Sequence, residues 1–230
     1  AAGLHLDENR KGDILFRVDG LNESLLDRDV FYPVLGHLIG KNSGNGIPVI
    51  QGLPNGVSED RLKALGAAAA SSGSVGMFHA VGSTPEASTT EEAFLGLNPT
   101  DVINVTSEKI LEARDQLSTA SDSRIGAVSL GTPHYSVQEI KKLFELFDSK
   151  SVNPEVNFYV STGRDVLTEA SLRGFIKPLE DAGVIFVTDT CTYITPIMEA
   201  VTLPVMTDSA KWAYYAPGNL GVEVIFGAVE

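Results

Sequence analysis

The sequence predicts an α/β fold, with mostly parallel sheets flanked by helices and divided into two subdomains. Three observations predict it. Short β-branched runs alternate with longer amphipathic stretches along the whole chain, the pattern of successive βα units. Several of the amphipathic stretches open on Ser or Thr followed by acids, the chemistry of helix N-termini. The chain has 230 residues, 43% of them hydrophobic, enough to bury a core of that size.

The elements follow in order. "DILFRV" (13–18) is the first strand, and "FYPVLGHLI" reads as a helix that ends in a glycine-rich turn before "IPVI" (47–50). Ser58-Glu59-Asp60 opens the helix containing "RLKALGAAAA", which leads to the strand "SVGMFHAV" (74–81). "DVINV" (101–105) is the next strand, and Thr106-Ser107-Glu108 opens "KILEARDQL". "IGAVSL" (125–130) precedes a capping box, Ser136 to Glu139, that starts "IKKLFELF". After "VNFYVS" (156–161) comes the helical stretch "RDVLTEASLRGFIKPLEDAG", bent at Gly174 or broken before Pro178 and closed by Gly183. "GVIFVT" (183–188), "LPVMT" (203–207) and "VEVIF" (222–226) complete the strands. Asn98-Pro99 is the expected seam, giving subdomains 1–98 and 99–230, with "SKSVNPE" (149–155) a lesser break.

Composition excludes several partners. Thirty acids against 17 bases give a net charge of −13, and no basic run interrupts it. Such a field argues against nucleic acid and anionic membrane surfaces, while leaving an anionic small molecule free to bind in a local pocket. No apolar segment approaches the ~20 residues of a membrane-spanning helix. A single cysteine, Cys191, excludes an internal disulfide framework and fits a reducing, cytoplasmic setting. The N-x-S/T matches at Asn22 and Asn104 are then chance occurrences. With no initiator methionine and an end at "VEVIFGAVE", the chain is expected to be a fragment of a longer polypeptide.

Some patterns mislead. "GHLIGKNSGNG" (36–46) resembles a phosphate loop, but three residues, not four, separate Gly36 from Gly40, and Lys41 precedes Asn42 where Ser or Thr belongs. There is no G-x-S-x-G, H-E-x-x-H or C-x-x-C, and His5, His37, His79 and His134 are too scattered for a metal cage.

In parallel α/β sheets, function gathers beyond the carboxyl ends of strands, and four turns there carry polar or constrained residues. The first, within 67–87, holds Ser71-Ser72-Gly73 and Gly82-Ser83-Thr84-Pro85-Glu86, amides and hydroxyls suited to an anion or to simple turn formation. The second is "SLGTPHYS" (129–136), where Pro133 fixes the turn and His134 stands before a helix, able to donate to an anion or relay a proton. The third is "VTDTCTYITP", in which an apolar strand stops and Cys191 sits among Asp189, Thr190 and other hydroxyls. A lone cysteine is commonly a small buried hydrophobe, but thiolates are favoured iron–sulfur ligands, and this one has polar company. The fourth is "MTDSAKWAYYAPGN" (206–219), with Ser209 and Lys211 after a strand and Tyr214 and Tyr215 leading into Ala216-Pro217-Gly218. A hydroxyl beside an ammonium can act as a base.

At these turns the chain resembles the aconitase X family. The matching segments are "ALGAAAASSGSVGMFHAVGSTPEA", "LGTPHYS", "VTDTCTYITP" and "MTDSAKWAYYAPGNLGV", with the helix "YPVLGHLIGK", so the similarity runs from about Phe31 to the end. The resemblance implies an aconitase-like fold and a hydro-lyase with an iron–sulfur centre. In such enzymes iron polarises a leaving hydroxyl while a protein base removes the neighbouring proton. The implied substrates are cis-3-hydroxy-L-proline, which is favoured here, or mevalonate 5-phosphate. A phosphorylated substrate wants clustered Arg and Lys, and these turns offer only Lys211.

By the same resemblance, Cys191 is a cluster ligand, and Ser209 and Lys211 are acid/base or carboxylate-binding groups. Ser72, Gly73, His79, Glu86, His134, Thr190 and Tyr215 line the substrate site. A small swivelling subunit or fused domain is the implied partner, and other cluster ligands lie outside the chain, which alone should be inactive. Thr132 stands where some relatives carry a thiol, which weakens a three-cysteine cluster at this turn. Two other readings remain open: a non-catalytic small-molecule-binding module, and a metal-free lyase using Ser209 and Lys211.

Overall fold

A computed structural model describes residues 3–121, 123–198 and 201–229. It divides into two compact units, residues 1–115 and 116–230. The boundary is therefore not at Asn98-Pro99. The strand that follows Pro99 pairs with the first strand of the chain, so residues 99–115 belong to the first unit.

In the first unit, β1 (Ile14–Arg17), α1 (Glu23–Leu26), α2 (Phe31–Ser43) and β2 (Pro48–Gln51) come first. They are followed by α3 (Glu59–Gly73), β3 (His79–Ala80), α4 (Thr90–Ala93), β4 (Asp101–Asn104) and α5 (Ser107–Asp115). The sheet order is β3-β2-β1-β4, with every pairing parallel. Leu15, Phe16, Val49 and Ile50 put the centre of this sheet in the core. The expected strand 74–81 shrinks to two residues, because Ser74 takes a left-handed conformation (φ 59°) and caps α3 with its N–H on the Ala70 carbonyl.

α2 and α3 meet through small residues. A Cβ on Gly36 would lie 2.2 Å from the Leu65 carbonyl oxygen, and one on Gly73 would lie 1.7 Å from that of Gly40. The helices therefore pack backbone to backbone, which explains the run "LGAAAASSG" as a packing face.

The second unit contains β5 (Ala127–Tyr135), α6 (Val137–Phe147), β6 (Asn157–Thr162), α7 (Arg164–Leu172) and α8 (Ile176–Asp181). β7 (Val184–Thr188), β8 (Val205–Thr207), α9 (Ala210–Leu220) and β9 (Val224–Phe226) complete it. Its sheet runs β7-β6-β5-β8-β9, again all parallel. Both partners of the Ser136–Glu139 capping box are bonded, and α6 turns Ile140 and Leu143 onto a core with Leu130, Val160, Leu179 and Val184. The stretch after β6 breaks at Gly174 (φ 83°), a conformation glycine adopts without strain. Pro178 falls in the first turn of α8, where its missing N–H costs nothing. Ala216-Pro217-Gly218, expected as a turn, lies inside α9, and the helix ends instead at left-handed Gly221. Among the described residues no helix is long and apolar enough to cross a membrane.

Candidate functional site

From β5 the second sheet grows outward through β6 to β7, and the chain then returns to place β8 and β9 on the other side. The gap between the carboxyl ends of β5 and β8 is the switch point where open parallel sheets bind ligands. The turns holding His134, Cys191 and Ser209 all meet there.

The first tie crosses the gap directly. Tyr135 Oη donates to Asp208 Oδ2 at 2.5 Å, and Thr207 Oγ1 donates to the Ser129 carbonyl at 2.7 Å. Ser209 is the N-cap of α9. Its hydroxyl accepts from Trp212 N at 3.0 Å and donates to the Thr132 carbonyl in a short contact, so it is engaged on both sides and buried. Lys211 sits in the first turn of α9, half-buried, with no hydrogen-bond or ion-pair partner among the described residues. A cation at a helix N-terminus opposes the helix dipole, an arrangement relieved by a bound anion.

The Cys191 turn is held by its polar neighbours. Asp189, in a left-handed conformation (φ 59°), accepts from Arg164 N at 2.9 Å and from the Arg164 guanidinium. These contacts, the backbone N–H foremost, hold its carboxyl below the usual carboxylate range. The Cys191 carbonyl accepts from the N–H groups of Ile194 and Thr195, each at 3.1 Å, and Thr190 Oγ1 lies 2.5 Å from Thr195 Oγ1. His134 Nε2 is 3.1 Å from the Thr190 carbonyl, which can only accept, so Nε2 carries the proton there. Thr192 is fully buried. It accepts from Trp212 Nε1 at 2.8 Å and bonds Ser129 Oγ at 2.7 Å. The turn after β7 is thereby pinned to β5 and α9, leaving the free, half-buried Cys191 thiol beside the switch point.

Tyr193 and Tyr215 stack at 5.5 Å, 13° from parallel. Burial, then Cys191 and Tyr215, pushes the Tyr193 hydroxyl up to about 12.

The sequence was compared with families and with proteins of known function. Residues 12–115 match the family model described as the aconitase X second domain, and residues 125–230 match the aconitase X third domain. The chain belongs to the aconitase X family. It is 39% identical over 231 residues to a cis-3-hydroxy-L-proline dehydratase of Pseudomonas aeruginosa, covering 99% of this chain and 39% of that protein. It is 36% identical over 233 residues to a phosphomevalonate dehydratase large subunit of Methanocaldococcus jannaschii, covering 99% of this chain and 56% of the other. The crystal structure of Thermococcus kodakaraensis aconitase X in its holo-form superposes with a TM-score of 0.84 at 28% identity, over 99% of this chain and 55% of that one. The chain thus spans about half the length of these aconitase X proteins or less.

Four expected lining residues lie in the second-domain portion of this aconitase X chain, within the first unit. Ser72 Oγ donates to the Ala68 and His37 carbonyls at 2.9 and 3.1 Å, and Gly73 abuts Gly40, so both serve the α2–α3 contact. His79 is buried on β3 with Nε2 2.6 Å from the Arg10 carbonyl. Glu86, in the turn beyond β3, pairs with Arg10 Nε at 3.1 Å.

Sequence reasoning missed Thr192 and the Tyr135–Asp208 pair. Their signal was present in the density of hydroxyls and acids within "TDTCT" and "MTDS", but partners far apart in sequence are set only by the β5–β8 neighbourhood. Thr132 and Ser161, both buried at the ends of β5 and β6, have hydroxyls without hydrogen-bond partners among the described residues.

An iron or iron–sulfur centre needs three or four protein donors. Among the described residues no three His, Cys, Asp or Glu side chains converge to hold a metal. This aconitase X chain fits one ligand position, the Cys191 thiol, and not a complete centre.

Proposed function

We propose that this chain forms the second and third domains of an iron–sulfur hydro-lyase that removes water from cis-3-hydroxy-L-proline. The observation that carries the reading is the Cys191 turn. A free, half-buried thiol is held beside the switch point by hydroxyls that turn inward, next to a lysine with no partner among the described residues. Kinship with the Pseudomonas aeruginosa dehydratase supports the substrate. In this reading Lys211 takes the substrate carboxylate, and the Tyr135–Asp208 pair holds the proton that elimination moves. Ser209 keeps α9 and Lys211 in place through its cap. An iron–sulfur centre would polarise the leaving hydroxyl, taking from this chain the Cys191 thiol alone. The reading includes a cytoplasmic setting, supported by the single unpaired cysteine. It also includes a small subunit or fused domain as partner, supported by the "large subunit" names of relatives.

A second reading, the large subunit of a mevalonate 5-phosphate dehydratase, is supported by the similarity to the Methanocaldococcus protein. One experiment separates them. Iron, sulfide and turnover are measured on the whole protein, purified without oxygen, for wild type and Cys191→Ser. Iron lost in the variant, with turnover of hydroxyproline by the wild type, upholds the first reading. Turnover of mevalonate 5-phosphate alone transfers support to the second. Equal iron in both proteins would remove Cys191 from the centre.

A further inference from the structure

The first unit has a switch point of its own. From β1 the sheet grows through β2 to β3, and β4 is then placed on the opposite side of β1. Beyond the carboxyl ends of β1 and β4 lies a cleft of about 310 Å³ lined by Arg17, Asp19, Asn104, Thr106, Ser107 and Glu108. Arg17 is the last residue of β1 and Asn104 the last of β4, in register with one another. Ser107 is the first residue of α5, so the helix also begins at this cleft.

Its charges are arranged for a ligand. Arg17 and Asp19 line the same space, yet neither has an ion-pair partner among the described residues. Glu108 is also ionised: hydrogen bonding by its own backbone N–H and then by the Thr106 hydroxyl holds its carboxyl below the ordinary range. Lys109, one residue further, spends its ammonium on the Asn104 carbonyl at 2.8 Å. The cleft therefore offers a guanidinium to a carboxylate and two carboxylates to an ammonium.

A simple anion would meet Asp19 and Glu108, and a simple cation would meet Arg17, so each is opposed by part of the lining. No metal-binding group of three donors exists among the described residues. A ligand with both charges on adjacent atoms satisfies the whole set. Guanidinium–carboxylate pairing adds directional, charge-assisted bonds.

We propose that this cleft binds a small zwitterionic amino or imino acid, with its carboxylate on Arg17 and its ammonium toward Asp19 and Glu108. The inference stands on the cleft's own charges, independently of the hydro-lyase reading, and its test needs no turnover, so either can fail alone.

L-Proline is titrated into the isotope-labelled chain while the amide signals of Asn104, Thr106 and Ser107 are followed. Cyclopentanecarboxylate, which lacks the amine, and pyrrolidine, which lacks the carboxylate, are titrated in parallel. The expected result is saturable shifts with L-proline and at least tenfold weaker binding of both analogues. Arg17→Gln and Asp19→Asn should each weaken L-proline binding at least tenfold. Both side chains are exposed, and unchanged amide spectra elsewhere show that the variants remain folded. No saturable shift at these three amides overturns the proposal. So does equal binding of either analogue, or L-proline binding indifferent to both substitutions.

Discussion

Trp212 Nε1 donates to Thr192 Oγ1 at 2.8 Å, joining a fully buried indole on α9 to a fully buried hydroxyl beside Cys191. Ser129 Oγ, 2.7 Å from the same hydroxyl, completes a three-residue link among α9, the Cys191 turn and β5. The single tryptophan thus reports on the placement of the single cysteine.

Removing either end of that link leaves a buried polar group unsatisfied, at a cost of about 1–3 kcal/mol. Thr192→Val should lower stability to urea by this amount and shift Trp212 fluorescence. Thr192→Val should also change the rate at which Cys191 reacts with a thiol reagent, whereas Thr192→Ser should restore the wild-type rate. An unchanged rate in Thr192→Val would mean that the link does not position the thiol.

Ser209→Ala removes the α9 cap and the hydroxyl bonded to the Thr132 carbonyl. Loss of an N-cap costs about 1 kcal/mol, within a range of roughly 0.5–2, and here the exposed end of the bond to β5 adds to it. Urea unfolding followed by Trp212 emission measures the loss.

Thr132→Val should act in the opposite direction. Its Oγ1 is buried without a partner among the described residues, and an apolar group of the same shape removes that desolvation cost, on the order of 1 kcal/mol or more. The midpoint of urea unfolding should rise. A fall would reveal a partner for the hydroxyl.

Tyr193 gives a pH signature. Its folded-state value of about 12 lies above the model value of 10.0. The unfolded chain therefore releases the proton first. The contribution of Tyr193 is intact below about pH 10 and is lost as pH rises through about 12. Ultraviolet titration near 295 nm should show one tyrosinate forming late in the wild type and absent from Tyr193→Phe. The variant should also lose less stability over that interval.

Periodic patterns reveal themselves in sequence, and contacts between distant segments do not. The βα alternation, the Ser58 cap and the Ser136–Glu139 box depend on neighbouring residues and were legible. The seam at Asn98-Pro99 was misplaced because proline marks a local break, while the pairing of β4 with β1 is a long-range property. Ser72 and Gly73 looked like a ligand-binding turn because small residues suit both anion binding and helix crossing. Cys191 stood out by its neighbours, but the residues that hold its turn, Ser129 and Trp212, come from two other parts of the chain.

The Gly73–Gly40 crossing has a consequence for how this sequence can drift. A methyl group at position 73 would strike the Gly40 carbonyl oxygen at 1.7 Å, and one at position 40 would strike the Ala69 carbonyl oxygen at 2.6 Å. The obstacles are main-chain atoms, so no side-chain exchange on the facing helix can make room. Each glycine is closed to one-step substitution, and changing both at once only adds a second collision. In a mutational library these two codons should stay nearly silent to variation, whereas Gly218, with nothing within 4 Å of its would-be Cβ, should accept alanine freely.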